Sequence, residues 1–144
     1  MSAATDGARR KARELAFRVS YQCDLVGDPV VDAWDALRAE HELSGDQVEL
    51  VDDVVKALSH ERARVDEALQ AAAEHWPLER LAATDRAVLR AAVAELIARP
   101  GTPARVVLDE SIEIAKRFGS EESGRFVNGV LDRVARTLRP EEFQ

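Results

Sequence analysis

The residue types that could carry out chemistry do not form a catalytic or metal-binding constellation in this chain. The three histidines, His41, His60 and His75, lie far apart, with no cysteine or histidine at metal-ligand spacing. No nucleophile elbow, phosphate-binding loop or dinucleotide fingerprint is present. Cys23 is the single cysteine and falls on an apolar helical stripe, where a buried and inert thiol is expected. The sequence therefore predicts neither an enzyme nor a bound metal or cofactor.

The remaining chemistry lies in the charges, which are unevenly distributed. The formal net charge is −7, which as an average argues against a nucleic-acid binder. The first twenty residues nevertheless carry +3, which leaves −10 for the rest. Arg9, Arg10, Lys11 and Arg13 crowd the start of the first predicted helix, where they repel each other and oppose the helix dipole. A polyanionic partner would offset this cost, and a solvated, frayed terminus is the alternative interpretation.

Further basic and aromatic residues allow, but do not demand, RNA binding. Two aromatic residues, Tyr21 and Phe126, could stack on unpaired bases, although core positions are the commoner use of such side chains. The basic set of the carboxyl-terminal half includes Arg86, Arg90, Lys116, Arg117, Arg125 and Arg133. Most of these have carboxylates nearby and could belong to an ordinary charged surface. Composition alone therefore leaves both interpretations open.

Composition also limits the class of protein. Hydrophobic residues make up 46% and charged residues 33%, which excludes a disordered chain and fits one domain or two small bundles that share a core. No apolar run approaches the roughly 18 residues that span a bilayer, and the start of the chain lacks the apolar core of a secretory signal. A single cysteine suits a reducing compartment. We therefore expect a cytoplasmic protein.

The apolar spacing predicts an all-α fold of about seven helices without a sheet. Apolar residues recur with helical period, and all five prolines stand where a helix would begin or end. The stripe of the first helix is Ala12, Leu15, Ala16, Val19, Cys23 and Val26, and that of the sixth is Val107, Leu108, Ile112, Ala115 and Phe118. The Asn128-Gly129 dipeptide would suit a hairpin turn but lies in a helical run. Gly129 then costs roughly 1 kcal/mol of helix propensity, which close packing is expected to offset.

Turn and capping residues predict the helix boundaries. Gly27 ends the first helix, and Asp28 is expected to cap the second with Pro29 at its first helical position. Ser44 and Gln47 have the form of a capping box for the third helix. The other boundaries are expected at residues 59–61, at a connector over 76–81, at a cap by Thr84, at a turn over 99–103, at Gly119 as the C′ residue and at a cap by Ser120.

Three segments of the chain together carry a specific signature. They are Arg10-Lys11-Ala12-Arg13-Glu14-Leu15-Ala16, then Asp85-Arg86-Ala87-Val88-Leu89-Arg90 with Glu95-Leu96, and finally Ala115-Lys116-Arg117-Phe118-Gly119 followed by Arg125-Phe126-Val127-Asn128-Gly129-Val130-Leu131-Asp132. These segments resemble the NusB family of bacterial transcription antitermination factors, from about Arg9 to Arg139. The resemblance implies one all-helical RNA-binding domain without catalytic activity, made of two packed bundles at about 8–80 and 81–139.

The resemblance also implies partners. The family pairs with NusE, a small-subunit ribosomal protein with a second role, and the pair binds the boxA element in leader or spacer RNA of ribosomal transcripts. With other Nus factors, the assembly keeps RNA polymerase from terminating early and helps rRNA processing. A homodimer that covers the Arg-rich end stays open, and no membrane partner is implied.

The RNA-binding residues that the resemblance implies are Arg9, Arg10, Lys11, Arg13, Tyr21, Arg90, Glu122 and Phe126. Family members often have aspartate where Glu122 stands. Asn128 and Gly129 are interpreted as structural, the glycine for packing and the asparagine for a local hydrogen bond.

Two other hypotheses come from different classes of protein. An rRNA methyltransferase can carry a similar helical domain, but its Rossmann-like catalytic domain would have to follow Gln144. A helical adaptor could bind an acidic protein through its Arg-rich start, or a helix-turn-helix around residues 99–103 could read DNA. Against the DNA reader, Val107, Leu108, Ile112 and Ala115 are expected in the core, which leaves few polar side chains to read a groove.

Overall fold

The computed structural model describes the backbone of residues 3–144 and the side chains from residue 7 onwards. Its seven α-helices are α1 (Ala3–Val26), α2 (Val30–Ala39), α3 (Gly45–His60), α4 (Arg62–Ala72), α5 (Ala83–Ala98), α6 (Ala104–Phe118) and α7 (Glu121–Leu138). Short 3₁₀ turns follow α4 and α7, at Leu78–Arg80 and Pro140–Phe143. No strand occurs among the described residues, so the all-α prediction is confirmed. None of the described helices has the length and apolar character that crossing a membrane requires.

Helix α5 forms the centre of the molecule. Every residue from Ala87 to Leu96 is buried, and the helix packs against α1, α3, α4, α6 and α7. The buried stretch contains two polar side chains, Arg90 and Glu95, and each needs a partner because burying an unpaired charge is costly. One contiguous apolar core includes residues of all seven helices. The division into two bundles stays a prediction.

Trp34 fixes α2 against α3. Its ring is buried, and its indole N–H donates to Asp52 Oδ1 over 2.6 Å. A buried indole N–H needs such a partner, because leaving it unpaired would cost its hydration without compensation. The short helix α2 is thereby held in one position on the core.

Three helix boundaries use the chemistry that the sequence predicts. Gly27 ends α1 with a φ of +84°, a conformation that residues with a side chain rarely adopt. Ser44 and Gln47 form the capping box of α3: the Gln47 N–H donates to Ser44 Oγ over 3.2 Å, and the Ser44 N–H donates to Gln47 Oε1 over 2.9 Å. Ser120 caps α7 by accepting the N–H of Ser123 over 3.1 Å.

Two of the expected caps are wrong by one or two positions. Pro29 is the N-cap of α2 rather than its first helical residue, because its ψ of 140° is extended and its carbonyl accepts the N–H of Ala33. Asp28 therefore lies before the cap. Helix α5 has Ala82 as its N-cap, and Thr84 lies within the first turn. Neither helix has a side-chain hydrogen bond at its cap.

The surroundings of Gly119, before α7, and Gly129, within α7, differ from those that the sequence predicts. Gly119 is the C-cap of α6 rather than its C′ residue, and a Cβ there would lie 2.6 Å from Ser123 Oγ and 2.8 Å from the Ala115 carbonyl oxygen. A Cβ on Gly129 would meet no atom of a neighbouring element within 4 Å, so the close packing expected at Gly129 is wrong. Asn128 is exposed, and among the described residues its side chain has no hydrogen-bond partner, so the expected local hydrogen bond is absent.

The last residues of the chain close the turn between α5 and α6. The buried guanidinium of Arg139 donates to the carbonyl oxygens of Leu96, Arg99 and Thr102 over 2.7–3.0 Å. It also donates to Glu142, whose other oxygen accepts the first N–H of α6. These hydrogen bonds lower the pKa of the Glu142 carboxyl. Carbonyl groups at the end of α5 and the first N–H of α6, which have no partner within their helices, thereby obtain hydrogen bonds.

Replacing the two glycines by alanine tests their different environments. Gly129→Ala should raise the free energy of unfolding by about 0.5–1 kcal/mol, because alanine has the better helix propensity and its Cβ finds open space. Gly119→Ala should lower it by about 1–3 kcal/mol, because the Ala115 oxygen cannot yield without moving the last turn of α6. Urea denaturation measures both values, and shifts of the same sign would contradict this assignment.

Candidate nucleic-acid interface

Helices α1 and α6 meet along a seam of paired charges and aromatic rings. The α1–α6 seam consists of Arg10, Glu14, Phe17, Glu110, Arg117 and Phe118. Arg10 of α1 donates to Glu110 of α6, from Nε over 3.0 Å and from Nη2 over 3.3 Å. The second pair is reversed, since Arg117 of α6 pairs with Glu14 of α1. The seam therefore contains two cations and two anions and has no net charge.

The cations of the seam lie outside its carboxylates. The side chains of Arg10 and Arg117 are 58% and 64% exposed, whereas those of Glu110 and Glu14 are 17% and 22% exposed. A guanidinium carries five N–H donors in a planar fork. Arg117, paired through Nη1, can therefore hold Glu14 and donate to a phosphate at the same time.

Aromatic rings continue the seam towards the turn between α6 and α7. The Phe17 and Phe118 ring centroids are 5.1 Å apart, and those of Phe17 and Tyr21 are 5.9 Å apart. Phe17 is buried, but Phe118 is 42% exposed and has the Arg117 guanidinium 5.2 Å from its ring centroid. Phe118 thus combines a partly exposed aromatic ring with a cation that lies over it, and both kinds of group can stack on unpaired bases.

A groove of about 350 Å³ lies between the connector before α5 and the first turns of α7. We call it the connector groove and define it by Trp76, Leu81, Asp85, Glu122 and Phe126. Trp76 is 60% exposed and Phe126 is half-buried, so aromatic rings border its opening. One carboxylate oxygen of Asp85 is buried and has no hydrogen-bond partner among the described residues. A donor from a bound molecule would satisfy that oxygen.

Arg13 is not available to RNA in this structure, contrary to the expectation from the sequence. Its side chain is 6% exposed and forms a bidentate ion pair with Glu95 of α5, over 2.8–3.1 Å. Glu95 is itself buried. Separating the pair would leave a charge unpaired in the core, which costs several kcal/mol. The helical period explains the difference, because Arg13 stands on the face of α1 that packs on α5.

Arg90 is also held within the fold. It donates to Asp66 of α4 over 2.9 Å and to Asp24 of α1 over 3.0 Å. Arg86, one turn earlier, also pairs with Asp24 and donates to the carbonyl oxygens of Leu78 and Leu81. The expectation that Arg90 contacts RNA is therefore replaced by a role in joining α1, α4 and α5.

The carboxylate of Asp24 pairs with both Arg86 and Arg90 in this partly buried network. Burial alone would raise its pKa, but the hydrogen bonds and charges of Arg86 and Arg90 outweigh burial, so the pKa lies below the ordinary 3.8. The depressed pKa means that folding favours the ionised form.

The remaining residues implied by the sequence lie in two places. Arg9, Arg10 and Lys11 lie within the first half of α1, which begins at Ala3, and Lys11 is exposed. Tyr21 lies about three turns further on, beside Phe17. Glu122 is exposed in the first turn of α7 and borders the connector groove with Phe126. The turn from Phe118 to Ser120 connects the seam to this groove along the chain.

The sequence places Arg117 in a general basic set and Phe118 in a core stripe, and it assigns neither of them, nor Trp76, to the RNA-binding site. Apolar spacing assigns Phe118 to the core stripe of α6, yet its outer side is uncovered because it is the last residue of the helix. The sequence does indicate this, because Gly119 marks the end of the helix and Arg117 supplies a cation next to Phe118. Trp76 stands before Pro77 in a connector, where a large aromatic has no helix face to pack on.

The described residues contain no group of three or more His, Cys, Asp or Glu side chains that could hold a metal ion. Cys23 is free and partly buried, and burial raises the pKa of its thiol, so the thiolate is disfavoured. The fold and the site together define an all-α protein in which paired charges and aromatic rings line the contact between α1 and α6.

Comparison with known proteins assigns the family. The NusB family model matches residues 10–136. The transcription antitermination protein NusB of Sorangium cellulosum is 44% identical over 138 residues, covering 92% of this chain and 94% of the relative. That of Anaeromyxobacter dehalogenans (strain 2CP-1) is 42% identical over 133 residues, covering 92% and 93%. This chain therefore belongs to the NusB family.

Solved structures agree with this assignment. NusB of T. maritima superposes with a TM-score of 0.84 at 32% identity, covering 94% of this chain and 96% of that one. A structure of the antitermination factors NusB and NusE in complex with double-stranded RNA gives a TM-score of 0.75 at 27% identity, covering 90% and 97%.

Replacing Asp24 tests the buried network through its pH dependence. Asp24→Asn should lower the free energy of unfolding at pH 7 by about 1–3 kcal/mol, because Arg86 and Arg90 lose a charged partner. A carboxyl with a depressed pKa stabilises the fold above its unfolded pKa and loses that effect as the pH falls through the folded one. The difference between wild type and variant should therefore shrink below pH 3.8. A difference independent of pH, measured by urea denaturation, would contradict the ionic role.

Proposed function

We propose that this chain is a transcription antitermination factor that binds boxA-type single-stranded RNA of ribosomal transcripts together with NusE. The observation that carries the proposal is the α1–α6 seam, where exposed guanidinium groups lie outside their carboxylates and lead to an exposed aromatic ring. Relatives named as transcription antitermination proteins, and the similar NusB in a complex with NusE and RNA, support it.

In this proposal, the cations and the aromatic rings bind different parts of the RNA. Arg9, Arg10 and Lys11 contact phosphates along the first half of α1, and Arg117 extends these contacts along the seam. Phe118 and Tyr21 offer faces on which unpaired bases stack. Cations and stacking alone give little sequence choice, so part of the selection of boxA comes from NusE.

Arg13 and Arg90 act differently in this proposal. Each is buried in an ion pair with a neighbouring helix, so each positions the binding surface instead of contacting RNA. Glu122 and Phe126 line the connector groove. In this proposal they contribute there, with Phe126 at the edge that the family resemblance gives to RNA and protein partner.

The proposal places the protein in the cytoplasm, with other Nus factors and RNA polymerase in the same assembly. It acts there by binding, without a catalytic step. The similar NusB–NusE complex contains double-stranded RNA. The exposed ring of Phe118 nevertheless favours single strands, because bases within a duplex already stack on each other.

Binding to a boxA-type RNA in the presence and absence of NusE tests the function. NusE should increase the affinity, because a protein surface adjacent to the seam would read base edges that the cations do not discriminate. Fluorescence anisotropy with a labelled boxA-type strand, an unrelated strand and a duplex of the same sequence measures the preference. Absence of any gain on adding NusE, or a preference for the duplex, would overturn the proposal.

Charge and stacking can be separated by their salt dependence. With about five phosphate contacts, the slope of log affinity against log salt should lie near −3.5, or about a hundredfold loss between about 50 and 200 mM salt. Lys11→Glu with Arg10→Glu should weaken binding to all RNAs and flatten this slope, whereas Phe126→Ala should leave the slope nearly unchanged. A flattened salt slope for Phe126→Ala would contradict a non-ionic contribution of Phe126 to binding.

A further inference from the structure

The basic end of the molecule is less positive than its sequence indicates. Arg10 and Arg117 each have a carboxylate partner from the opposite helix, and Arg13 is buried against Glu95. Glu113 and Lys116 form a further pair at the same edge, at 3.8 Å. Of these charged groups, each cation is matched by an anion at ion-pair distance.

Because the carboxylates lie deeper than the guanidinium groups, they affect distant and contacting ligands differently. Glu14 and Glu110 lie beneath the guanidinium groups and are less than a quarter exposed, so a ligand arriving from solvent meets the cations first. At a distance greater than the ion-pair length, the fields of cation and anion largely cancel. At hydrogen-bond distance, the outward N–H groups of the guanidinium still donate to an oxygen.

We infer that Glu14 and Glu110 are specificity-determining residues, which suppress attraction of arbitrary polyanions to the α1–α6 seam while they hold Arg10 and Arg117 for direct contact. The inference rests on the proposed RNA binding and names a device within it. An RNA gains affinity only where a phosphate reaches the guanidinium groups and a base reaches Phe118. A strand that is merely close gains little.

The alternative is that the carboxylates only brace the helices. Bracing would make their removal lower stability and binding together, for every RNA. Suppression predicts the opposite for unspecific ligands, because removing both anions raises the net charge of the seam by two. The two roles therefore differ in the sign of the effect on unspecific affinity.

The test variant is Glu14→Gln with Glu110→Gln, which keeps side-chain size and removes both charges. Its matched control is Glu40→Gln with Glu42→Gln, which makes the same change of total charge at exposed positions near the end of α2. The conservative variant Glu14→Asp with Glu110→Asp keeps the negative charges and should behave as wild type. Circular dichroism and thermal unfolding confirm that each protein is folded.

The probes are a twenty-nucleotide oligouridylate, heparin, and a boxA-type RNA with NusE. For the seam variant, affinity for oligouridylate and heparin should rise about tenfold near 50 mM salt, and the salt slope for the single strand should steepen by about 1.4, which is two further phosphate contacts. Affinity for boxA-type RNA with NusE should rise less, so the preference for boxA falls. The control pair should change unspecific affinity by less than about threefold.

Two outcomes would overturn the inference. Equal gains for the seam variant and the control pair would show that only total charge matters, and a loss of affinity for all probes would show that the carboxylates brace the site. Failure of the proposed function gives a different result, since wild type with NusE would then show no preference for boxA-type RNA over oligouridylate. The heparin arm measures the suppression in either case.

Discussion

The structure depends on the register of α1 against α5, which ion pairs fix at both ends of the contact. Arg13 near the middle of α1 pairs with Glu95 near the end of α5, and Asp24 near the end of α1 pairs with Arg86 and Arg90 in the first half of α5. The two helices are therefore antiparallel. Sliding either helix would separate charges that are mostly withdrawn from water, and that cost exceeds what any single apolar contact could return.

This register determines what α1 presents elsewhere. With Arg13 turned towards α5, the neighbouring face with Arg10, Glu14 and Phe17 lies against α6. The same network reaches the connector before α5, because Arg86 binds the carbonyl oxygens of Leu78 and Leu81. The seam and the connector groove are therefore positioned by one set of buried charges, although they lie on different helices.

The sequence predicts the helices better than it predicts the site. Apolar period and the capping residues Ser44 and Ser120 are local signals, and the structure confirms them. The caps at Pro29 and Ala82 shift because no side chain binds the first turn, so backbone geometry decides. Which arginine of the opening faces inward cannot be read from a run of four cations. That choice depends on the position of Glu95, 82 residues away. The glycines show the same limit. The sequence predicts close packing at Gly129, but the structure has it at Gly119.

The two tryptophans of the chain are in contrasting surroundings. Trp34 is buried with its indole N–H on Asp52, whereas Trp76 is open to water at the edge of the connector groove. Their emission spectra should therefore differ, that of Trp34 lying at shorter wavelength and near a carboxylate that can quench it. Trp76 consequently supplies an intrinsic optical probe of whatever occupies the groove, and Trp34 one of the integrity of the core, without any attached dye.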